Sequence, residues 1–196
     1  FILSTADMFL ILAASSDSSP YSNIGASREM LQMMAYEPMT LLIAVGFYLA
    51  TGSFRVDDII QQSTSVILMM PGLFVGYILI MAIKLRKSPF DLSTSHHAHQ
   101  EVVKGITTEM SGPTLAIMEI GEYYEKMLLL AVVALFFINS NWYSWIIAII
   151  ACLGVYFIEI VIDNVSARIN WRYVLNVCWL ITLLCGGINI LILMLI

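Results

Sequence analysis

The chain has 196 residues, of which 60% are hydrophobic and 12% are charged, with a formal net charge of −5 and a mean hydropathy of +0.87. In soluble domains, roughly a quarter of all residues are charged. This composition therefore excludes a soluble globular domain, a disordered chain and a nucleic-acid binder. It predicts an all-α, polytopic bundle of transmembrane helices, with room for five or six spans of about 20 residues each.

Apolar segments and polar connections alternate along the chain, which predicts five whole helices and one helix stub. The predicted helical segments, in chain order, are 1–14, 24–51, 66–83, 113–139, 143–162 and 173–196. The predicted polar connections are 15–22, 52–65, 84–112 and 163–172. Pro38 predicts a kink or a local break in the second segment. We interpret residues 1–196 as a single transmembrane domain, a fragment that lacks N-terminal helices.

Basic residues indicate the orientation. If the spans alternate, three polar stretches lie on one side of the membrane, 15–28 (which includes the polar start of the second segment), 84–112 and 163–172, and they hold Arg28, Lys84, Arg86, Lys87, Lys104, Arg168 and Arg172. The opposite connections hold only Arg55. The excess of Lys and Arg in cytoplasmic loops of membrane proteins therefore predicts that the 84–112 loop faces the cytoplasm, in a multi-pass protein of the cell (inner, cytoplasmic) membrane.

Acidic residues inside the predicted spans are the candidates for chemistry. They are Asp7, Glu37, Glu119, Glu122, Glu125 and Glu159. A bare charge at this depth costs several kcal/mol by contested estimates, so such residues by default indicate function. At about 100° per residue, the three acids of segment 113–139 fan over about 120° of one helix. A proton path explains them, and so does a structural role, with Glu122 and Lys126 as an ion pair.

The polar segment 88–112 reads SPFDLSTSHHAHQEVVKGITTEMSG, and it belongs to the longest connection. Its length and mixed charge predict a cytoplasmic docking surface for partner proteins, with Asp91, His96, His97 and His99 as contact residues. Adjacent histidines cannot readily share one ion on a helix, and no cysteine accompanies them, so we predict no metal site. The three cysteines lie in apolar runs without a C-x-x-C pair, which argues against an iron–sulfur or zinc site.

Several stretches resemble one membrane-subunit family of respiratory complex I, the family designated H. The stretch SPYSNIGASREMLQMMAYEP (19–38) matches that family's pattern at Tyr21, Gly25, Arg28, Gln32, Tyr36 and Glu37. Further matches are PFDL (89–92), QEVVKGITTEMSG (100–112) and the pair Glu122–Tyr123. After PFDL the quinone-using pattern continues with acids, whereas this chain has STSHHAHQE. In that respect it is most similar to the corresponding membrane subunit of energy-converting [NiFe] hydrogenases of the Ech and Mbh type.

The resemblance implies a membrane anchor and ion-conduit subunit of a ferredoxin-dependent, proton-reducing hydrogenase that translocates H⁺ or Na⁺. This chain would be a non-catalytic subunit without a cofactor of its own. Iron–sulfur clusters and the nickel–iron centre would lie on partners: the hydrogenase large and small subunits, an iron–sulfur subunit and, for ion pumping, antiporter-like membrane subunits. The conduit residues implied by matching positions are Arg28, Glu37, Glu101, Glu109 and Glu122. Burial in the predicted span adds Glu119 and Glu125.

Four other interpretations remain open. The chain could be the quinone-binding H-type subunit of a complex I-type NADH dehydrogenase, or the equivalent subunit of a ferredoxin-dependent sulfane reductase. A self-contained transporter would require an internal repeat with broken helices in corresponding halves. A purely structural anchor would leave the intramembrane acids unexplained.

Overall fold

The computed structural model describes residues 2–85, 105–166 and 171–195, except for the side chains of Trp171 and Arg172. Its helices, in chain order, are α1 (Ile2–Ser16), α2 (Pro20–Thr51), α3 (Val56–Ile60), α4 (Pro71–Lys84), α5 (Pro113–Phe137), α6 (Tyr143–Val165), α7 (Trp171–Ile181) and α8 (Ile188–Leu195). Short 3₁₀ turns occupy Val66–Leu68 and Gly105–Thr107, and a π-helical segment, Thr182–Gly187, joins α7 to α8. The described residues form no strand, so the predicted all-α class is confirmed.

Proline and glycine set the helix limits. The helices α2, α4 and α5 begin at Pro20, Pro71 and Pro113. Proline suits the first helical turn because its missing N–H has no partner there in any case. At the other end of α2, Gly52 has φ 75°, and its backbone N–H donates to the carbonyl of Tyr48 at 2.7 Å. This left-handed conformation closes the helix, and glycine adopts it without steric cost.

Two features of the helices differ from parts of the predicted pattern. The helix α2 continues through Pro38 as one element, so of the two predicted alternatives, a kink or a local break, the break does not occur. The apolar run 66–83 is also not one helix, because its first residues form a 3₁₀ turn and α4 begins only at Pro71. The helix then includes Lys84, which the sequence pattern places at the start of the polar loop. Because α4 begins at Pro71, Lys84 is its last residue and belongs to the helix instead of the loop.

The helix α2 lies at the centre of the bundle and packs against α1, α4, α7 and the 105–107 turn. Phe136, fully buried, contacts the rings of Phe47, Phe74 and Tyr77 at centroid distances between 4.8 and 5.9 Å. The residues Met39, Leu73 and Ile80 extend this core along α2 and α4. In a bilayer such side chains stabilise the bundle through close van der Waals packing, because lipid tails are as apolar as they are.

The connections gather at two opposite ends of the bundle, as the alternation of spans predicts. At one end, Ser65 Oγ donates to the carbonyl of Phe137 at 3.0 Å, and the backbone N–H of Ser140 donates to the carbonyl of Gln62 at 2.9 Å. At the other end, the start of α2 packs against the turn Gly105–Thr107. The turn between α1 and α2 lies at this same end.

Within residues 2–85, 105–166 and 171–195, three helices are long and apolar enough to cross a membrane: α2, α6 and the continuous helix Tyr173–Leu195. Two shorter apolar helices, α1 and α4, pack beside α2. The helix α6 leaves most of its large apolar side chains exposed, including Ile149, Leu153 and Phe157. Such a continuous apolar surface is stable against lipid or another apolar helix, and not against water.

Candidate functional site: a buried charge cluster

Four helices bring polar side chains to one point inside the bundle. Lys84 Nζ, from the end of α4, donates to Glu125 Oε1 on α5 at 2.7 Å and forms a short ion pair with Asp7 Oδ2 on α1. Tyr36, on α2, donates its hydroxyl to the same oxygen of Asp7 at 2.8 Å. The ammonium also lies 4.8 Å from the centroid of the Tyr36 ring. We call these four residues the charge cluster.

The charge cluster is buried within this chain. The exposed fraction of the Lys84 side chain is 9%, and those of Asp7 and Glu125 are 16% and 20%. Hydrogen bonds between ionised partners are stronger than neutral ones, and low surrounding dielectric strengthens them further. Two carboxylates and one ammonium nevertheless carry a net charge of −1 when all three are ionised. The charge cluster is therefore electrically neutral only when it holds one additional proton.

Helix geometry places the charge cluster at mid-height of the bundle. Tyr36 lies 16 residues after the first residue of α2 and 15 before its last. At about 1.5 Å per residue, it is about 24 Å from one end of the helix and about 22 Å from the other. Glu125 is likewise 12 residues from each end of α5. A hydrocarbon core about 30 Å thick would thus surround the charge cluster.

The short helix α4 explains how a lysine reaches this depth. Its 14 residues span about 21 Å, less than the thickness of the hydrocarbon core. Because α4 begins near the 52–70 connection, it ends inside the bundle, and Lys84 occupies its last position. A cation is favourable there because the carbonyl end of a helix carries a partial negative charge.

An apolar cavity of about 360 Å³ adjoins the charge cluster between α1, α2, α4 and α5. Tyr36, Glu37 and Lys84 line one part of it, and residues such as Phe47 and Leu129 line the rest. Glu37 Oε1 is buried and has no hydrogen-bond partner among the described residues. Glu37 and Lys84 therefore both line the same cavity.

The predicted conduit residues divide into two groups in the structure. Glu37 and Glu125 lie at the cavity and in the charge cluster, respectively. Glu119 and Glu109 are exposed on this chain, and Glu122 is half-buried. On α5, Glu119 points about 120° away from Glu125, so the two acids cannot face the same neighbour. For all of these acids, a role in the conduit stays a prediction.

The remaining predicted residues lie away from the charge cluster or outside the described residues. Arg28 is half-buried near the start of α2. Glu101 and the predicted docking residues lie outside the described residues, and the latter are Asp91, His96, His97 and His99. On α5, Lys126 Nζ lies 5.1 Å from the centroid of the Tyr123 ring. Within the described parts of the chain, no group of three His, Cys, Asp or Glu side chains could hold a metal ion.

Sequence reasoning misses Lys84 as a site residue and leaves Asp7 and Tyr36 outside the predicted conduit. The hydropathy pattern assigns the charge of Lys84 to a solvated loop because the preceding apolar run is long enough to span a membrane. The signal that corrects this is Pro71–Gly72, since a proline favours the first turn of a helix. Counting from Pro71 makes Lys84 the fourteenth helical residue, and this is too few for a complete crossing.

The fold and the charge cluster together define a class: a multi-pass helical membrane protein with ionisable residues paired in its interior. A comparison with family models identifies the family. The model described as NADH dehydrogenase matches residues 1–194, so the chain belongs to the NADH dehydrogenase family. The resemblance to the H-designated membrane subunits of complex I, predicted from the motifs, is thereby confirmed.

Individual relatives agree with this assignment. The H subunit of NADH-quinone oxidoreductase from Anaplasma marginale is 32% identical over 149 residues, which cover 73% of this chain and 41% of the relative. Its counterpart from Syntrophotalea carbinolica is 28% identical over 200 residues, which cover 98% of this chain and 59% of the relative. The chain thus spans about half the length of the curated relatives it matches.

A solved structure shares the fold. A chain of the membrane-bound sulfane sulfur reductase, an archaeal respiratory membrane complex, aligns with a TM-score of 0.80, and the match covers 94% of this chain and 64% of the other. The sequence identity is 18%, so this likeness concerns the arrangement of the helices. It supports the helical bundle described above.

Proposed function

We propose that the chain is the H-type membrane subunit of a respiratory complex, and that its charge cluster is part of an ion conduit through the membrane. The observation that carries this proposal is the meeting of Asp7, Lys84 and Glu125, from three helices, at mid-height of the bundle. Burying such charges is costly, and apolar side chains of similar size would hold helices together at least as well. An ion-conducting role gives a reason for the charges.

The conduit extends from the charge cluster to Glu37 through the cavity that both line. Carboxylates are suitable stations because each can accept and release a proton. The remaining predicted conduit residues, Arg28, Glu101, Glu109, Glu119 and Glu122, continue the path at the end of the bundle that holds the 85–112 connection. That end is proposed to face the cytoplasm, since the basic residues of the chain cluster in its connections.

The redox chemistry is proposed to occur on partner subunits. A proton-reducing [NiFe] hydrogenase of the energy-converting type, supplied with electrons by ferredoxin, is our proposal for the complex. The histidine-containing sequence STSHHAHQE supports it, because the acids of the quinone-using pattern are replaced there. The partners would be the hydrogenase large and small subunits, an iron–sulfur subunit and antiporter-like membrane subunits, docked in part on Asp91, His96, His97 and His99.

Quinone binding is the second candidate, and the apolar cavity favours it. Its volume of about 360 Å³ falls in the range of small-molecule sites, about 300–1,000 Å³. It combines a mostly apolar lining with polar side chains that include Tyr36, Glu37 and Lys84, as a quinone head group and its tail would require. The relatives' name, NADH-quinone oxidoreductase, points to the same alternative. The sulfane reductase alternative has only the shared fold in its support.

The experiment that tests which complex this chain belongs to determines the metal and the electron acceptor of that complex. We would purify it through a tag on this chain, determine nickel, and assay hydrogen evolution from reduced ferredoxin in the same preparation. Nickel together with hydrogen evolution is the expected result. A preparation without nickel that reduces a quinone analogue or sulfane sulfur would refute the hydrogenase proposal, and each acceptor would identify the corresponding alternative.

The conduit is tested with Glu37→Gln, Glu122→Gln and Glu125→Gln in the whole complex. Each change removes a proton-binding group and keeps the size of the side chain. We expect electron transfer by the detergent-solubilised complex to persist in part, while ion gradients formed by the complex in vesicles fall strongly. Asp57→Asn is the matched control, because Asp57 is exposed on α3, at the end of the bundle remote from the charge cluster. Normal gradients in all three Glu→Gln variants would refute the conduit.

A further inference from the structure

The Lys84 ammonium fills the position between two carboxylates that a free cation would otherwise occupy. It contacts Glu125 Oε1 at 2.7 Å and pairs directly with Asp7 Oδ2, so that oxygens from two helices converge on it. The Tyr36 hydroxyl oxygen lies next to this point, since it donates to the same Asp7 oxygen at 2.8 Å. Carboxylate and hydroxyl oxygens are the ligands that hard cations prefer. Without Lys84, the charge cluster would resemble a cation site.

We propose that Lys84 is a tethered cation that gates the conduit and restricts it to protons by excluding Na⁺ from the space between Asp7 and Glu125. This inference rests on the proposed conduit and deepens it by naming the ion. The ammonium is held by the four-carbon stem of a residue at the end of α4, so it can shift but cannot leave. A Na⁺ ion would have to displace it against the attraction of both carboxylates.

A proton passes this gate without displacing the ammonium. When hydronium delivers a proton to Glu125, an O–H bond forms on the carboxyl group and one water molecule remains. The ion pair between Glu125 and Lys84 becomes a weaker hydrogen bond to a neutral acid, and the ammonium then pairs mainly with Asp7. When the proton leaves for the next water molecule or carboxylate, the original ion pair forms again. No electrons move, and the charge cluster alternates between a net charge of −1 and 0.

Other ionisable groups near Lys84 set the charge balance of this step. From the helices packed around it, they are Asp7 on α1, Tyr36 and Glu37 on α2, Tyr77 on α4 and Glu125 on α5. Glu29 on α2 lies within electrostatic reach of Tyr36, and the Cys152 thiol on α6 lies within electrostatic reach of Tyr77. All of these are carboxyl, phenol or thiol groups. Lys84 therefore offsets the acids gathered at this point, and its removal leaves two facing carboxylates.

The test uses the complete complex reconstituted in liposomes, with Lys84→Met and the matched variant Lys84→Arg. Methionine keeps an unbranched chain without charge, whereas arginine keeps the charge. Proton uptake per electron transferred is measured with a pH-sensitive dye, in Na⁺ buffer and in choline buffer. We expect uptake in Lys84→Met to fall about tenfold or more, because a proton or another cation then stays between the two facing carboxylates to offset their charges and blocks the conduit there. Lys84→Arg should retain most of the uptake.

Sodium distinguishes a gate from a merely structural ion pair. In Lys84→Met, Na⁺ can enter the vacated position, so uptake should be lower in Na⁺ than in choline. Wild-type complex and Lys84→Arg should respond identically to the two cations at this step. Wild-type uptake by Lys84→Met would overturn the gate, and a loss that is equal in Na⁺ and choline would overturn the exclusion of Na⁺.

Glu125→Gln, measured in parallel, separates this inference from the proposed conduit. If Glu125→Gln and Lys84→Met both pump normally, the charge cluster is not part of a conduit, and the proposed function of the charge cluster fails together with the gate. If only Lys84→Met pumps normally, the gate is refuted and the conduit stands. Should Lys84→Met fail to assemble, the double variant Asp7→Asn with Lys84→Met removes one charge of each sign and avoids the repulsion between carboxylates. This double variant should assemble without pumping, and wild-type uptake by it would equally overturn the gate.

Discussion

Gly25 is the position at which one methyl group should damage the bundle most clearly. A Cβ atom built on Gly25 would lie 2.5 Å from the backbone nitrogen of Ile106 and 2.9 Å from the carbonyl carbon of Gly105. Real Cβ atoms essentially never approach another heavy atom within 3.0 Å. Because both atoms belong to the backbone, no side chain can rotate to relieve the contact. Either α2 or the 105–107 turn must move.

The magnitude follows from two opposing terms. Alanine favours a helix over glycine by about 1 kcal/mol. Overpacking of a well-packed interior costs about 1–3 kcal/mol, and a contact with backbone falls toward the upper end. Ile106 is fully buried against Ala14 and Ala26, which restricts relaxation of the turn. We therefore expect Gly25→Ala to destabilise the chain by about 1–2 kcal/mol in total.

The assay heats the purified complex, carrying a fluorescent tag on this chain, and measures the tagged chain that remains in the folded peak of a sizing column. A change of about 1–2 kcal/mol corresponds to a lower midpoint by about 2–8 °C for a domain of this size. Gly154→Ala is the matched control, since its Cβ would have no heavy atom within 4 Å. If both variants have the same midpoint, α2 does not pack against the 105–107 turn and the reasoning is refuted.

Two hydrogen bonds between helices give further predictions. Tyr77→Phe removes the hydroxyl that donates to the carbonyl of Leu129 at 2.8 Å, so we expect a loss of about 1 kcal/mol in the same heating assay. An unchanged midpoint would show that this bond does not hold α4 to α5. Ser22→Ala removes the buried bond to the carbonyl of Ala14 at 2.8 Å and should cost about 1 kcal/mol. The exposed Ser16→Ala is its control, and an equal effect of the two changes would contradict the assignment.

The number and order of the main helices could be read from the sequence because hydropathy acts over whole segments. A run of about 20 apolar residues has few alternatives in a bilayer, where every backbone polar group must be hydrogen-bonded internally. Prolines at positions 20, 71 and 113 mark helix starts for a local reason that the sequence also contains. The sequence leaves open whether Pro38 kinks or breaks α2, and the helix continues through the proline while neighbouring helices pack along it.

The charge cluster could be predicted only in part because it depends on how four helices meet. Burial identifies Glu37 and Glu125 as candidates, since an acid inside an apolar span is costly in any arrangement. The pairing of acidic with basic side chains depends on how each helix is rotated and how far it is shifted along the bundle axis. Both follow from packing around residues such as Phe136 and Gly76. A Cβ on Gly76 would overlap Met39 Cε, so this glycine lets α4 approach α2 closely. No periodicity reveals that contact.

Lys84 connects the two parts of the proposed function. One buried residue, Leu85, separates it from segment 86–104, in which the predicted docking residues lie. The backbone N–H of Leu85 donates to the carbonyl of Met81 at 2.7 Å, so the last turn of α4 extends to the edge of that segment. Six residues, 85–90, lie between Lys84 and Asp91, the first of the predicted docking residues, so a partner docked there, as proposed, would act on the Lys84 ammonium through this short stretch of chain. The balance between the pairs Lys84–Asp7 and Lys84–Glu125 is sensitive to small movements because each depends on direct contact. This short path is a physical means by which docking of a redox subunit could be coupled to proton passage.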